Sequence, residues 1–327
     1  MFEAIYNPST ILLRKGAGSP SLGKAKGMTV IMKRKQRFLP WLYSFPALAL
    51  IGMIILFPIL YTGFISLTNM NLFHWLDYKV IGLGNYQRAL LKMNSGFLSA
   101  LITTILWTVV NMALQVVLAY FIALGLNAPG LKLRRIYKTL LMFPWAMPAY
   151  VSILLWRVGM YNTEFGFLNK VLTALGMSKI SFLSENTAAF LSCLILNLWM
   201  ALPFMIMIID GALQSIEPSY YESAKLDGAG FLKKNKYVTV PLIRPVIAPA
   251  VILTTFTTFK QFDIIYLLTM QKGSYTGATL QTVITYAQQN AFVSNNYGLS
   301  SAVSIVIFVI IIIFSAFTNR EIREENG

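Results

Sequence analysis

Six stretches of this chain run for about twenty residues with almost no charge, and that constrains the fold more than any other feature. They lie at about Trp41–Ser66, Leu98–Leu126, Thr139–Trp156, Thr187–Ile209, Val246–Leu268 and Leu299–Thr318. Only the fifth carries charged side chains, Lys260 and Asp263. About 20 apolar residues, wound as a helix, cross the hydrocarbon core of a bilayer. Of the 327 residues, 56% are hydrophobic and 12% charged, whereas soluble domains carry about a quarter charged. The expected fold is therefore all-α, a polytopic membrane protein with six transmembrane helices. A basic tail, 1–37, precedes a membrane domain, 38–320, and a short C-terminal segment, 321–327, follows it.

The net charge of +15 does not point to nucleic acid. With the N-terminus in the cytoplasm, nineteen of the 27 lysines and arginines fall on the cytoplasmic side and eight on the other. That places both termini and the polar loop at 215–245 in the cytoplasm, and the excess charge meets anionic lipid. A cleaved signal peptide is not expected, because the first apolar run begins only after residue 37 and is too long. In the tail, Gly18-x-x-x-x-Gly23-Lys24 imitates a phosphate-binding loop. Ala25 stands where a hydroxyl is needed for magnesium and no apolar strand precedes it, so the match reads as chance. The single cysteine, Cys193, excludes an intrachain disulfide, and the single histidine, His74, excludes a His-based metal cluster.

The most informative polar stretch runs from Glu217 to Pro241. Pro218 suits a first helical turn, and Glu217 and Glu222 favour its positive end. Gly228 with Gly230 should stop that helix, and a second short helix should end at Pro241. The spacing of Glu222-Ser223-Ala224, then Gly228 three residues on, then Val238-x-Val240-Pro241 resembles the cytoplasmic coupling loop of ABC importer permeases. Asp227-Gly228-Ala229 adds to the match, while Ser223 and the two valines are mild departures. Over residues 40–320 the chain resembles the carbohydrate-uptake branch of that family, the maltose- and lactose-type subunits. The segments that carry this are Gly82-Leu83-Gly84-Asn85-Tyr86, Pro144, Pro148 and Trp156, Gly166 with Asn169, Asn197-x-Trp199, Pro203-Phe204, Leu267-Leu268-Thr269, Thr279, Tyr286 and Tyr297-Gly298. The usual T-x-G-G-P is replaced by Thr269-Met270-Gln271-Lys272-Gly273, which puts the local loop in doubt.

The resemblance implies a type I ABC importer fold and a non-catalytic transport subunit in the plasma (inner) membrane of a prokaryote. It implies no cofactor in this chain, with ATP and magnesium on partner subunits. The implied partners are a second homologous permease, two cytoplasmic ATPase subunits and an extracytoplasmic substrate-binding protein. Glu222, Ser223, Ala224, Asp227, Gly228 and Pro241 are the implied ATPase-coupling residues, with the helix carrying Glu222 seated in a groove of the ATPase. By resemblance to the maltose-type subunit, Asn197, Ala201, Phe204, Thr254, Thr257, Thr258 and Gln261 align with substrate-contacting positions. Hydroxyl-rich sugars suit such a mixture of polar and aromatic side chains. Threonines in a span also commonly bond their own backbone.

Lys260 departs from the family pattern. A charge within a span costs about 2.5–3.5 kcal/mol on insertion scales. Asp263, one turn away, is its expected partner, and attraction of an anionic sugar such as a uronate, with Arg157 as a helper, is the sharper alternative. Residues 159–186 should form an amphipathic helix on the outer surface, with Phe165, Phe167, Leu168, Val171, Leu172 and Leu175 at helical spacing. Other function classes remain open. A permease for a non-sugar solute fits the same pattern. An ion-driven secondary transporter needs a carboxylate site within the spans, for which Asp210 and Asp263 are the candidates. A membrane enzyme needs a His/Asp/Glu constellation on one face, and the sequence offers none.

Overall fold

The computed structural model describes residues 41–91, 96–271, 274–275 and 280–325. The basic tail with its Gly18–Lys24 segment, Lys92, Lys272, Gly273, Thr279 and the last two residues lie outside them. The chain divides at Tyr61 into two compact units, Met1–Tyr61 and Thr62–Gly327. The described part of the first is the opening portion of α1 (Trp41–Ser66), an uncharged helix with a one-turn π segment at Gly52–Leu56 and Phe57 stacked on Tyr61.

In the second unit α2 (Gly84–Leu90) is followed by α3 (Phe97–Leu126), a 30-residue helix that enters all three apolar cores. Its Trp107 packs with Ile153, Cys193, Leu196, Ile264 and Leu268. Its Ala119 and Ala123 pack with Met205, Ile206, Ile209 and Ile243. Its Phe97 and Ala100 pack with Val283, Val303 and Ile307. Ala119 and Ala123 are both fully buried. Small residues at such positions let helices approach closely where lipid gives no hydrophobic drive to associate. Exposed Ile102, Leu106, Val109, Val117 and Phe121 leave the rest of α3 apolar toward lipid.

The third expected span is two helices, α4 (Arg134–Ala146) and α5 (Ala149–Leu155, continued by one π turn to Met160), bent by 91°. Among the described residues five helices are long and apolar enough to cross a membrane on their own, and six if the bent pair counts as one span. Pro148 explains the break. It crowds the preceding residue out of the helical region, and Met147 is extended (φ −78°, ψ 141°). Pro144 lies inside α4, and Pro203 lies inside the 29-residue α7 (Asn186–Gln214), without ending either helix. Between them α6 (Phe167–Ala174) realises the amphipathic helix expected in 159–186. It turns Leu168 and Asn169 inward and leaves Phe165, Phe167, Val171 and Leu175 exposed.

The short helix expected after Gly230 does not end at Pro241. After α8 (Pro218–Leu226) and a turn at 227–230, α9 (Phe231–Lys234), a π turn at Asn235–Thr239 and α10 (Val240–Phe259) follow one another without a loop. Pro241 stands just after the π turn, at the second residue of α10. The fifth span therefore starts earlier than Val246 and runs to Thr269, with a break in the helix on the way. The backbone breaks at Lys260-Gln261-Phe262, and a separate α11 (Asp263–Thr269) follows. Met270–Gln271 then pairs antiparallel with Ser274–Tyr275 where the family's usual loop was in doubt. Finally α12 (Val283–Phe292), closed by a Thr282–Thr285 capping box, precedes α13 (Tyr297–Glu325).

Candidate functional site

At one end of the bundle the polar stretch projects as a compact unit. Glu217 is extended before α8, Pro218 opens the helix and Asp227 is its last partly helical residue. Gly228 follows at φ +70°. The Gly228 N–H reaches the Lys225 carbonyl (3.1 Å) and the Ala229 N–H reaches the Ala224 carbonyl (2.9 Å), a Schellman closure that needs a left-handed residue at Gly228. Glu222, Ser223, Asp227, Gly228 and Pro241 are exposed and Ala224 is half-buried. The Tyr221 hydroxyl lies 3.1 Å from the Thr239 hydroxyl and holds α8 against the π turn. The Tyr120 hydroxyl donates to Asn235 Oδ1 (2.7 Å) and ties the same turn to α3. Tyr220, Leu226, Phe231, Leu232 and Tyr237 are also exposed, Leu226 at 91% and Leu232 at 80%. Apolar side chains this bare beside carboxylates and lysines suit a protein partner better than water.

The expected substrate residues lie deeper. Thr254, Thr257, Thr258 and Gln261 share one face of α10 and its end by their spacing of three and four. Thr254 and Thr257 hydroxyls donate to the carbonyls of Ala250 (2.8 Å) and Thr254 (2.9 Å). Thr258 is buried with its hydroxyl toward the Met112 sulfur (4.0 Å). Asn197 is buried and donates to Asn111 Oδ1 (2.6 Å), and Asn111 in turn donates to the Trp107 carbonyl (2.8 Å). Phe204 is half-buried and stacks with Trp145 of α4 at 6.5 Å. Ala201 gives its carbonyl to the Gln115 amide (3.0 Å). The opposite face of α10, with Thr255, Phe256 and Phe259, lines a wholly apolar cavity of about 270 Å³ with α3 and α13.

Lys260 and Gln261 occupy the break itself. Lys260 is exposed and its backbone N–H closes on the Phe256 carbonyl. Among the described residues it forms no ion pair, so the expected partnership with Asp263 is not made. The reason is geometric: the helix ends between the two residues, so they no longer stand one turn apart on one surface. Arg157 donates to the Leu267 carbonyl (2.8 Å) and lines a cavity of about 500 Å³ with Tyr161, Asn162, Thr163 and Ser184. The Tyr161 hydroxyl donates to the Ser192 carbonyl (2.9 Å), and burial raises its pKa well above the usual phenol value, so it stays a neutral donor.

Asp210, a candidate ion site in the sequence, is enclosed by protein donors. Asn127 (2.8 Å) and Arg134 (3.1 Å) reach Oδ1, while Gln214 (2.7 Å) and Lys138 reach Oδ2. Asn111, Trp145, Asn127, Arg134 and Lys138 are partners that residue-by-residue reading missed. Only the position of Arg134 and Lys138 one helical turn apart hinted at a shared acidic partner.

Residues 115–320 match the family described as the binding-protein-dependent transport system inner membrane component. The chain belongs to that family. It is 33% identical over 288 residues to the trehalose/maltose transport system permease protein MalF of Thermococcus litoralis, covering 88% of this chain and 95% of the relative. It is 30% identical over 294 residues to the galactooligosaccharides transport system permease protein GanP of Bacillus subtilis, covering 87% of this chain and 70% of the relative. Its fold is that of a chain in a solved bacterial ABC transporter involved in the import of the acidic polysaccharide alginate. That likeness has a TM-score of 0.75 at 19% identity and covers 90% of this chain and 99% of the other. In family terms the chain is an integral membrane transport permease.

Proposed function

We propose that this chain is the non-catalytic membrane-spanning subunit of an ATP-driven carbohydrate importer. The observation that carries the reading is the exposed α8 unit, closed at Gly228 and tied to the start of the fifth span through Tyr221 and Thr239, in a chain of this family. A stiff helix with bare apolar side chains and Glu222 on its surface is suited to seating in a groove of an ATPase subunit. Movement there passes to the spans as a rigid-body shift. Two such ATPases would hold the ATP and magnesium, a second permease would complete the pathway, and an extracytoplasmic binding protein would deliver the sugar. The α8 unit and both termini then lie in the cytoplasm. The sugar class is supported by the names of the relatives and by the polar and aromatic side chains gathered at Asn197, Phe204 and the face of Thr254, Thr257, Thr258 and Gln261.

An acidic sugar is a second reading, favoured by Lys260. A cation at a break within a span, with no ion pair among the described residues, is available to a carboxylate on the solute. The bound form of Asp210, with both oxygens held by protein donors, speaks against an ion-driven transporter using that carboxylate.

The test is copurification of the tagged chain in mild detergent, followed by uptake into proteoliposomes across neutral and acidic oligosaccharides. ATPase and second permease in fixed ratio, with ATP-dependent uptake of a sugar, are expected. A chain that comes out alone and moves solute without ATP overturns the proposal. Equal competition by neutral and acidic oligosaccharides overturns the acidic reading alone.

A further inference from the structure

Asp210 sits within a span, at 2% exposure, four residues before the end of α7. Three segments meet on its carboxylate: Asn127 caps the end of α3, Arg134 and Lys138 open α4, and Gln214 ends α7. Arg134 also donates to Asn127 Oδ1, so the donors are cross-tied. From this joint only Ser215, Ile216 and Glu217 separate α7 from α8.

The joint matters because of what else holds α4. Among the described residues α4 has no buried side chain, although its Leu141 leans on the Met112–Ile209 core. Toward its far end Trp145 stacks on Phe204 of α7, next to the 91° bend. So α4 is held to α7 by a stack near the bend and a charged joint near α8. A buried ion pair is weak evidence for stability, because desolvation offsets most of its attraction. Its geometry is nevertheless specific: two cations on one helix fix the position of one carboxylate on another.

We propose that Asp210 is a positioning residue for energy coupling, gripping α4 so that displacement of α8 moves the bent span together with α7. It acts through Arg134 and Lys138 and touches no substrate. This rests on the importer reading above. With Asp210→Asn the shape is kept, but the two neighbouring cations lose their shared counter-charge. α4 is then free to lag when α7 is displaced. ATP hydrolysis on the partner would continue while the pathway fails to open in step.

The experiment is solute transported per ATP hydrolysed, measured on the reconstituted complex with wild-type chain, Asp210→Asn, Lys138→Gln and the double variant. Hydrolysis is expected to stay within about twofold of wild type while the ratio falls about tenfold, in the usual range of coupling between sites. The double variant should be no worse than Asp210→Asn, because both changes open one joint. A wild-type ratio in the variants, or uptake and hydrolysis falling in parallel, overturns the proposal. If Asp210→Asn does not assemble, Lys138→Gln at the more exposed edge of the joint decides by the same ratio. A wild-type complex without ATP-driven uptake would instead sink the importer reading beneath it.

Discussion

Gly228 is the residue at which the backbone requirement falls inside the proposed coupling unit. Its φ of +70° is open to glycine and costly to others, but an added Cβ would meet nothing within 4 Å. Gly228→Ala should therefore carry only the left-handed penalty of about 1–2 kcal/mol. Gly228→Pro cannot reach that φ, and it removes the N–H that closes on the Lys225 carbonyl, a loss of about 3 kcal/mol or more. ATP-driven uptake should fall modestly in the first and nearly vanish in the second, with both proteins still in the membrane. Equal uptake by the two would remove the Schellman closure from the mechanism. Other residues that carried the family likeness prove to be stitching. Asn85 donates to the carbonyls of Ser66 (2.9 Å) and Thr68 (2.7 Å), and a Cβ on Gly298 would lie 2.3 Å from the Thr68 oxygen. Asn169 binds Ile180 through both its amide and its carbonyl. Spacing showed that these positions were special and could not show why, because each partner is remote in sequence. Asn197 is the instructive case: it reads as a sugar ligand, yet its amide already serves Asn111.

At the level of elements, uncharged length made the helices legible and proline did not settle where they stop. Among the described residues eight prolines fall inside or at the start of helices without ending them (Pro46, Pro58, Pro144, Pro203, Pro218, Pro241, Pro245, Pro249), whereas Pro148 sits at the sharp bend. The difference lies in what surrounds each: Pro203 is buried within the α3–α7 packing, whereas Pro148 follows a residue free to become extended. The break at Lys260-Gln261-Phe262 had no proline or glycine to announce it. Pro148→Ala lifts the restriction on Met147, so the α4–α5 bend should open. Spin labels near residues 137 and 158 should then report a longer and broader separation, with ATP-driven uptake down several-fold. Pro144→Ala, away from the bend, should leave the separation as it is. An unchanged distance in Pro148→Ala would mean that packing against α7 and α11, rather than the proline, holds the angle.

For the whole molecule the decisive quantity is which side of the membrane each end of α7 faces. At about 1.5 Å per residue its 29 residues reach about 43 Å, enough to cross the bilayer with the polar interfaces included. The loop before it holds exposed Met177, and the segment after it leads to exposed Ser219. These two positions must therefore lie on opposite sides if α7 crosses once. The count of lysines and arginines predicts Ser219 inside, because charge near span ends acts during insertion, before any packing forms. The solute was not readable in the same way, since the candidate ligands also make helix–helix bonds, as Asn197 does with Asn111. The native Cys193 is fully buried beside Trp107 and Leu196, so single cysteines placed elsewhere can be labelled against a silent background. A membrane-impermeant maleimide on intact cells stripped of outer layers should label Met177→Cys at once and Ser219→Cys only after lysis. The reverse pattern would turn the protein over and put α8 beyond the reach of any cytoplasmic ATPase. Labelling of both from outside would mean that α7 does not cross, and the coupling route from α8 through Asp210 to the bent span would have to be abandoned.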